Sequence, residues 1–298
     1  MIQAWNRQHG NSSTAIPESH PRTRPPRILP PVLVLNLLIG IFVALLGLAF
    51  GSFLNVCIAR LPRHESIVHP PSHCPRCGRS IQPRDNIPLL SYALLRGRCR
   101  SCGDTISWRY PAVELATALL WLLCFFAFGA TPAAVAMAIL CFLVLGLAVM
   151  DAETMLLPDA FTLPGIFLGI LWEAAGTVNG WPDRLHAAGM SLLWAAAAAG
   201  LILLIRTVYW LVRRREGMGL GDAKFFAMLA AWLGAADALL ILFLAVILGA
   251  FYGIVRMRRG RGTAGNIRVP LGAFLGVAAI YAIFAGPQTI NWYLKFFP

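Results

Sequence analysis

Charge is scarce in this sequence. Only 13% of its 298 residues are Asp, Glu, Lys or Arg, against 58% apolar ones, and the mean hydropathy is +0.68. That balance excludes a soluble globular protein. Acids are scarcest, at 13 against 25 Lys and Arg. No G-x-G-x-x-G follows a strand pattern, so no soluble dinucleotide-binding fingerprint is present. Residues 1–30 hold no apolar h-region and no small-residue cleavage site before the first long apolar run. This predicts a retained first helix behind a disordered, proline-rich leader rather than a signal peptide.

What remains is long and apolar. Runs that approach or cross a hydrocarbon core of about 30 Å fall near 31–56, 112–128, 132–150, 158–177, 186–212, 222–234, 237–256 and 270–286. The expected fold is an all-α integral membrane protein of about eight transmembrane helices. The first spans 31–56, a small polar domain occupies 57–111, and seven further helices fill 112–298. A formal charge of +12 raises the possibility of a nucleic-acid partner, but its distribution argues against one. Nine arginines lie between Arg60 and Arg109, three at Arg213–Arg215 and five from Arg256 to Arg268, while the loops near 129–131 and 234–237 carry none. Alternate loops are basic, the positive-inside pattern. It places 57–111 in the cytoplasm and both termini opposite, although Arg22, Arg24 and Arg27 before the first span pull the other way.

The domain at 57–111 reads "PSHCPRCGRS…RGRCRSCGDT". Cys74-x2-Cys77 and Cys99-x2-Cys102 have the spacing of a tetrahedral four-thiolate zinc site, with Gly78 and Gly103 placed to turn the backbone toward the sulfurs. Disulfides or a redox pair are the competing readings, disfavoured by a cytoplasmic location. Four closed ligands leave no open position, so the zinc is structural, and a domain this small draws much of its folding free energy from the metal. Cys57, Cys124 and Cys141 read as small apolar residues packed within the spans. His73 adjoins the cluster in sequence but is not needed as a ligand.

Acids at span ends are functional candidates by default. Asp151 closes the third span in "LAVMDAETMLLPD" and Asp222 opens the sixth in "GMGLGDAK". The topology puts both carboxylates on one side of the membrane, at a common depth. Two aspartates sharing a proton hydrolyse peptide bonds: one, ionised, activates water while the other, protonated, polarises the carbonyl. Gly217, Gly219 and Gly221 would then supply positive φ and room for an extended substrate strand. Other roles stay open at this point. Asp222 also reads as an N-cap, Asp159 as another, and Asp151 as a partner for Lys224 or an arginine; with Glu173 inside the fourth span, the pair also suits a proton or ion relay.

Further residues carry a family resemblance. "GSFLNVCIARLP" at 51–62, "CPRCG" at 74–78 with "CRSC" at 99–102, "NIPLLSY" at 86–92, "RYPAVELATALL" at 109–120, "MDAETMLLPD" at 150–159 and "GMGLGDAK" at 217–224 resemble, in order, the type IV prepilin peptidases of the GxGD class of membrane aspartyl proteases. The resemblance implies a multi-pass protein of the bacterial inner membrane, with Asp151 and Asp222 as catalytic aspartates on the cytoplasmic side and Asp159 in a supporting or capping role. It implies that prepilins and pseudopilins are cut after a glycine, and that the new N-terminal residue is methylated with S-adenosylmethionine. One departure concerns the last span. It opens "VPLGAFLG", with Ala273 after Gly272 where relatives often carry Gly-Pro.

Three rival functions are distinguishable. A presenilin-like protease would carry Tyr before its first aspartate, where this chain has Met150. An ion-coupled transporter with a zinc-stabilised domain predicts flux without proteolysis, and an inverted repeat would support it; the two aspartate blocks do not resemble each other. A scaffold would tolerate loss of both aspartates. Gly47-x3-Gly51 has the spacing of close helix packing, read here as an internal contact rather than a dimer.

Overall fold

A computed structural model describes residues 31–176, 180–214, 218–259 and 269–296. The leader at 1–30, Arg215, Gly217 and the basic stretch from Arg261 to Arg268 lie outside the described residues. The described chain is helical: α1 (Pro31–Arg60), the short α2 (Leu90–Leu94), α3 (Arg109–Phe128), α4 (Pro132–Thr154), α5 (Asp159–Gly176), α6 (Trp181–Arg213), α7 (Leu220–Arg258) and α8 (Leu271–Leu294). The polar domain is shorter than expected at both ends, because α1 continues to Arg60 and α3 begins at Arg109.

Among the described residues six helices are long and apolar enough to cross a membrane: α1, α3, α4, α6, α7 and α8. The two remaining runs have physical explanations. The 18 residues of α5, which include Glu173 and Pro164, are marginal in length and apolarity. The 39 residues of α7 would extend about 58 Å as a straight helix, far beyond one bilayer. They do not run straight, since Gly234 sits at φ 78, ψ −179 and breaks the helix. Before the break, Met228 and Trp232 pack on Gly165 and Gly169, so this half runs parallel to α5. After it, Asp237 meets Gly286 and Gly249 faces Phe274, so the second half runs antiparallel to α8. Both α5 and α8 start at the Asp151 end of α4, so the chain reverses at Gly234. The eight runs therefore correspond to eight helical segments.

The turns at the end remote from Asp151 share one device. Gly129 (φ 69, ψ −167), Gly180 (φ 120, ψ −180) and Gly234 occupy a backbone region open essentially to glycine alone. At Gly129 the chain passes directly to Thr131, whose Oγ1 accepts from Ala134 N at 3.4 Å and caps α4, with Pro132 in its first turn.

The core centres on α4, where Leu140, Cys141, Val144, Leu147 and Met150 are fully buried. Apolar burial cannot drive helices together within lipid, so close packing at small residues does. Gly47 and Gly51 of α1 lie against Ala118 and Glu114 of α3, an internal contact as the spacing suggested. Gly276 of α8 lies against Ala148 of α4. Trp232 Nε1 donates to Gly165 O at 2.8 Å, fastening α7 to α5. Cys57, Cys124 and Cys141 are buried packing residues, and the last two sulfurs touch at 3.8 Å.

Candidate active site and metal centre

Asp151 occupies the last turn of α4, which ends at Met155 in the left-handed conformation (φ 57). Its side chain is only 5% exposed. Oδ2 accepts a hydrogen bond from Ala273 N at 2.9 Å, in the first turn of α8. The first four N–H groups of a helix have no partner within it, and they favour an anion. The carboxylate thus takes a donor that α8 leaves free. A Cβ at Gly272 would stand 3.0 Å from Asp151 Cγ, so the absence of a side chain there lets α8 come this close.

Asp222 is half-buried in the first turn of α7. It is not the N-cap that the sequence allowed. Gly219 takes that place with extended backbone (φ −79, ψ 154), and Asp222 stands three residues in, its Oδ2 accepting from Gly219 N at 3.0 Å. The glycines also act differently from expectation, because neither Gly219 nor Gly221 has positive φ. Gly221 instead makes room for the α4–α5 connection: a Cβ on it would lie 2.9 Å from Leu157 Cβ. Leu157 also packs against Gly272, so one side chain touches the neighbours of both aspartates. Asp151 and Asp222 lie within electrostatic reach of each other. The fold brings to one end of the bundle two residues 71 positions apart.

Lys224 does not pair with Asp151. Its Nζ meets Asp159 Oδ1 at 2.6 Å, tying the start of α5 to that of α7. Asp159 is the first residue of its helix and a cation partner at the same time. Arg109 of α3 reaches Glu153 of α4 at 3.3 Å. Glu173 falls near the far end of α5, about 21 Å along the axis from Asp159 at 1.5 Å per residue, so it joins neither aspartate.

The four cysteines do converge. The Sγ atoms of Cys74, Cys77, Cys99 and Cys102 all lie within 4.8 Å of one another, and Cys74 Sγ is 3.8 Å from Cys102 Sγ. Zn–S bonds of about 2.3 Å in a tetrahedron require S···S edges of about 3.8 Å, so the donor set fits zinc in size and chemistry. His73 lies outside the cluster. The two knuckles are built alike. Gly78 N donates to Cys74 O and Cys74 N to Arg79 O; Gly103 N donates to Cys99 O and Cys99 N to Asp104 O, all at 2.8–2.9 Å. Gly78 (φ 69) and Gly103 (φ 72) make the turns.

Backbone N–H groups of Cys102 and Ser101 pull the Cys99 thiol down to about 7. Cys102 is pushed up to about 11, where the Asp104 N–H opposes the rise but burial and the other thiols outweigh it. Four thiolates cannot coexist there without a compensating cation, which is the role a divalent metal fills. Ion pairs brace the knuckles from outside. Arg100 grips Asp85 in bidentate fashion at 2.7–3.0 Å, which holds the Asp85 carboxyl below its ordinary value, and Arg76 meets Asp104 at 2.9 Å.

Comparison with known proteins agrees with this arrangement. Residues 45–128 match the family described as bacterial peptidase A24 N-terminal domain, and residues 137–254 the type IV leader peptidase family. The prepilin leader peptidase/N-methyltransferase of Pseudomonas aeruginosa is 38% identical over 280 residues, covering 85% of this chain and 92% of its own length. The protein of that name from Pseudomonas putida is 36% identical (82% of this chain, 89% of the relative), and the one from Aeromonas hydrophila 35% (86% and 93%). None of these names denotes a carrier. No solved structure matches the chain. Relatives this similar over nine-tenths of their length, matched in both halves and in the same order, mean that this multi-pass membrane protein belongs to the type IV leader peptidase family.

Proposed function

We propose that this chain is a prepilin leader peptidase and N-methyltransferase, with Asp151 and Asp222 as its catalytic pair. The observation that carries the reading is that two aspartates from distant helices lie at one end of the bundle within electrostatic reach of each other, Asp151 held by the N–H groups at the start of α8 and Asp222 by Gly219 N. In the shared-proton state, the ionised partner takes a proton from a water as it attacks the scissile carbonyl, and the protonated partner donates a hydrogen bond to the carbonyl oxygen. The tetrahedral intermediate then collapses as a proton passes to the leaving amine.

The substrates are prepilins and pseudopilins, cut after a glycine at the end of the basic leader. Their apolar helix lies in the bilayer beside the bundle, and Gly219 leaves the backbone beside Asp222 without a side chain. The basic loops support a cytoplasmic site at the inner membrane of a bacterium. Zinc at Cys74, Cys77, Cys99 and Cys102 supplies a cross-link that holds the small domain and takes no part in hydrolysis. The new N-terminal amine is then methylated, with S-adenosylmethionine as donor.

The test is cleavage of a prepilin by purified protein in lipid, read by mass spectrometry with and without S-adenosylmethionine. The wild type loses the leader and gains one methyl only with the donor. Asp151→Asn and Asp222→Asn each lower cleavage by at least about 10³-fold, in line with loss of an acid–base group, while their helical content stays unchanged. Cleavage by the folded double variant would reject the assignment.

A further inference from the structure

One ion pair stands beside the aspartate site without a part in hydrolysis. Lys224 Nζ meets Asp159 Oδ1 at 2.6 Å, with the two side chains 37% and 57% exposed. Asp159 opens α5 directly after the α4–α5 connection, whose Leu157 touches Gly221 and Gly272 next to the two aspartates. Lys224 follows Asp222 by two residues on α7. With 3.6 residues per turn, that spacing sends the two side chains from opposite faces of the helix. Asp159 therefore lies roughly one helix width, about 10 Å, from the Asp222 carboxylate. An extended peptide covers that distance in about three residues.

The helix ends around this pair are basic. Arg213 and Arg214 close α6, and Arg256, Arg258 and Arg259 close α7, all at the end of the bundle that carries the aspartates. Among the acids of the described bundle helices at that end, only Glu153 and Asp159 are exposed. Glu153 is tied to Arg109, which is itself only 17% exposed, whereas the partner of Asp159 is a lysine that solvent reaches. An exposed pair of this kind is weak, because water screens both ions and a long side chain must be held in one geometry. An arriving cation can therefore take the place of Lys224. A basic surface repels a cationic peptide except where a carboxylate receives it.

We propose that Asp159 receives a cationic side chain of the substrate, about three extended residues from the bond that is cut, and that this cation displaces Lys224. The inference deepens the peptidase reading above and rests on it, since the leader removed at Asp151 and Asp222 is the basic part of the substrate. The exchange leaves the local charge balance as it was: one ammonium or guanidinium replaces another on the carboxylate, and Lys224 turns to solvent. Asp159 is then a specificity-determining residue that holds the leader and takes no part in the chemical step. Lys224 competes with the leader for it, so the two partners of one ion pair act on substrate binding in opposite directions.

The test measures kcat and KM of the purified full-length protein in lipid on two substrates: a prepilin with its basic leader, and the same prepilin with the leader lysines and arginines replaced by Gln. On the basic leader, Asp159→Asn should raise KM about three- to tenfold with kcat little changed, and Lys224→Gln, which frees the carboxylate, should lower KM about two- to threefold. On the neutral leader, both effects should shrink below about twofold. The opposite signs are the signature. A pair that only ties α5 to α7 is broken equally by either substitution, so both variants would then shift in the same direction whichever leader is offered. That result, or KM values indifferent to the charge of the leader, would overturn the role of Asp159 and leave the peptidase reading standing. A folded wild type that cuts neither substrate would overturn that reading itself.

Discussion

At the scale of single residues, the pair Asp151 and Asp222 was legible because acids are so rare in this chain that each one at a span end demanded a reason. What held them in place was not legible. Asp151 is fixed by Ala273 N, 122 positions away, a contact that depends on how α8 packs on α4. The sequence offered only one hint, a glycine in the first turn of the last span. Gly272→Ala tests that contact. Its Cβ would meet Asp151 Cγ and Oδ2 at 3.0 Å and Leu157 Cδ1 at 3.1 Å, so the carboxylate must give way. Displacement of a reacting group by about 1 Å costs up to about 10²-fold in rate. The expected outcome is a kcat lowered 10- to 100-fold with KM for prepilin little changed, measured beside an unaltered melting temperature. The Asp159–Lys224 pair should behave oppositely. Both partners are substantially exposed, 57% and 37%, so a double-mutant cycle on stability should give a coupling below about 1 kcal/mol.

At the scale of helices, composition located all eight segments but could not tell an apolar helix that spans from one that is marginal, as α5 is, or two helices from one broken helix. Only the short loop near 234–237, "GAAD", parted the sixth and seventh runs, and its residues alone do not say whether the chain bends or reverses there. The reversal depends on Gly234 alone, at a φ of 78, so Gly234→Ala adds strain of about 1–3 kcal/mol. Nothing lies within 4 Å of its Cβ position, and any loss of stability is therefore conformational rather than steric. A matched pair separates these causes elsewhere. Gly51→Ala on α1 would place Cβ 2.6 Å from Glu114 Cα and force α1 from α3, costing about 1–3 kcal/mol as overpacking does. Gly200→Ala on α6 meets nothing within 4 Å and should change stability by no more than about 1 kcal/mol, with either sign. Thermal unfolding in one detergent compares all three variants.

For the molecule as a whole, the question is how far the four-cysteine domain and the helical bundle depend on each other. The helices hold one another through buried packing around α4, while the domain between α1 and α3 has few buried residues, chiefly Cys74 and Ser91. It is attached by a small set of polar contacts: Glu114 to Leu89 N, and Arg60 to the carbonyls of Ser66 and Pro70. Structural zinc contributes about 10–16 kcal/mol to such modules at neutral pH, far more than these contacts supply. Removing the metal, by a strong chelator or by Cys74→Ser with Cys99→Ser, should therefore unfold residues 61–108 and leave the bundle standing. Limited proteolysis would then cut within that stretch, while far-ultraviolet circular dichroism falls only slightly. Because Asp151 and Asp222 are held by α8 and by Gly219, leader cleavage should survive in large part. Its loss along with the fold of the domain would mean that the domain also shapes the peptide site.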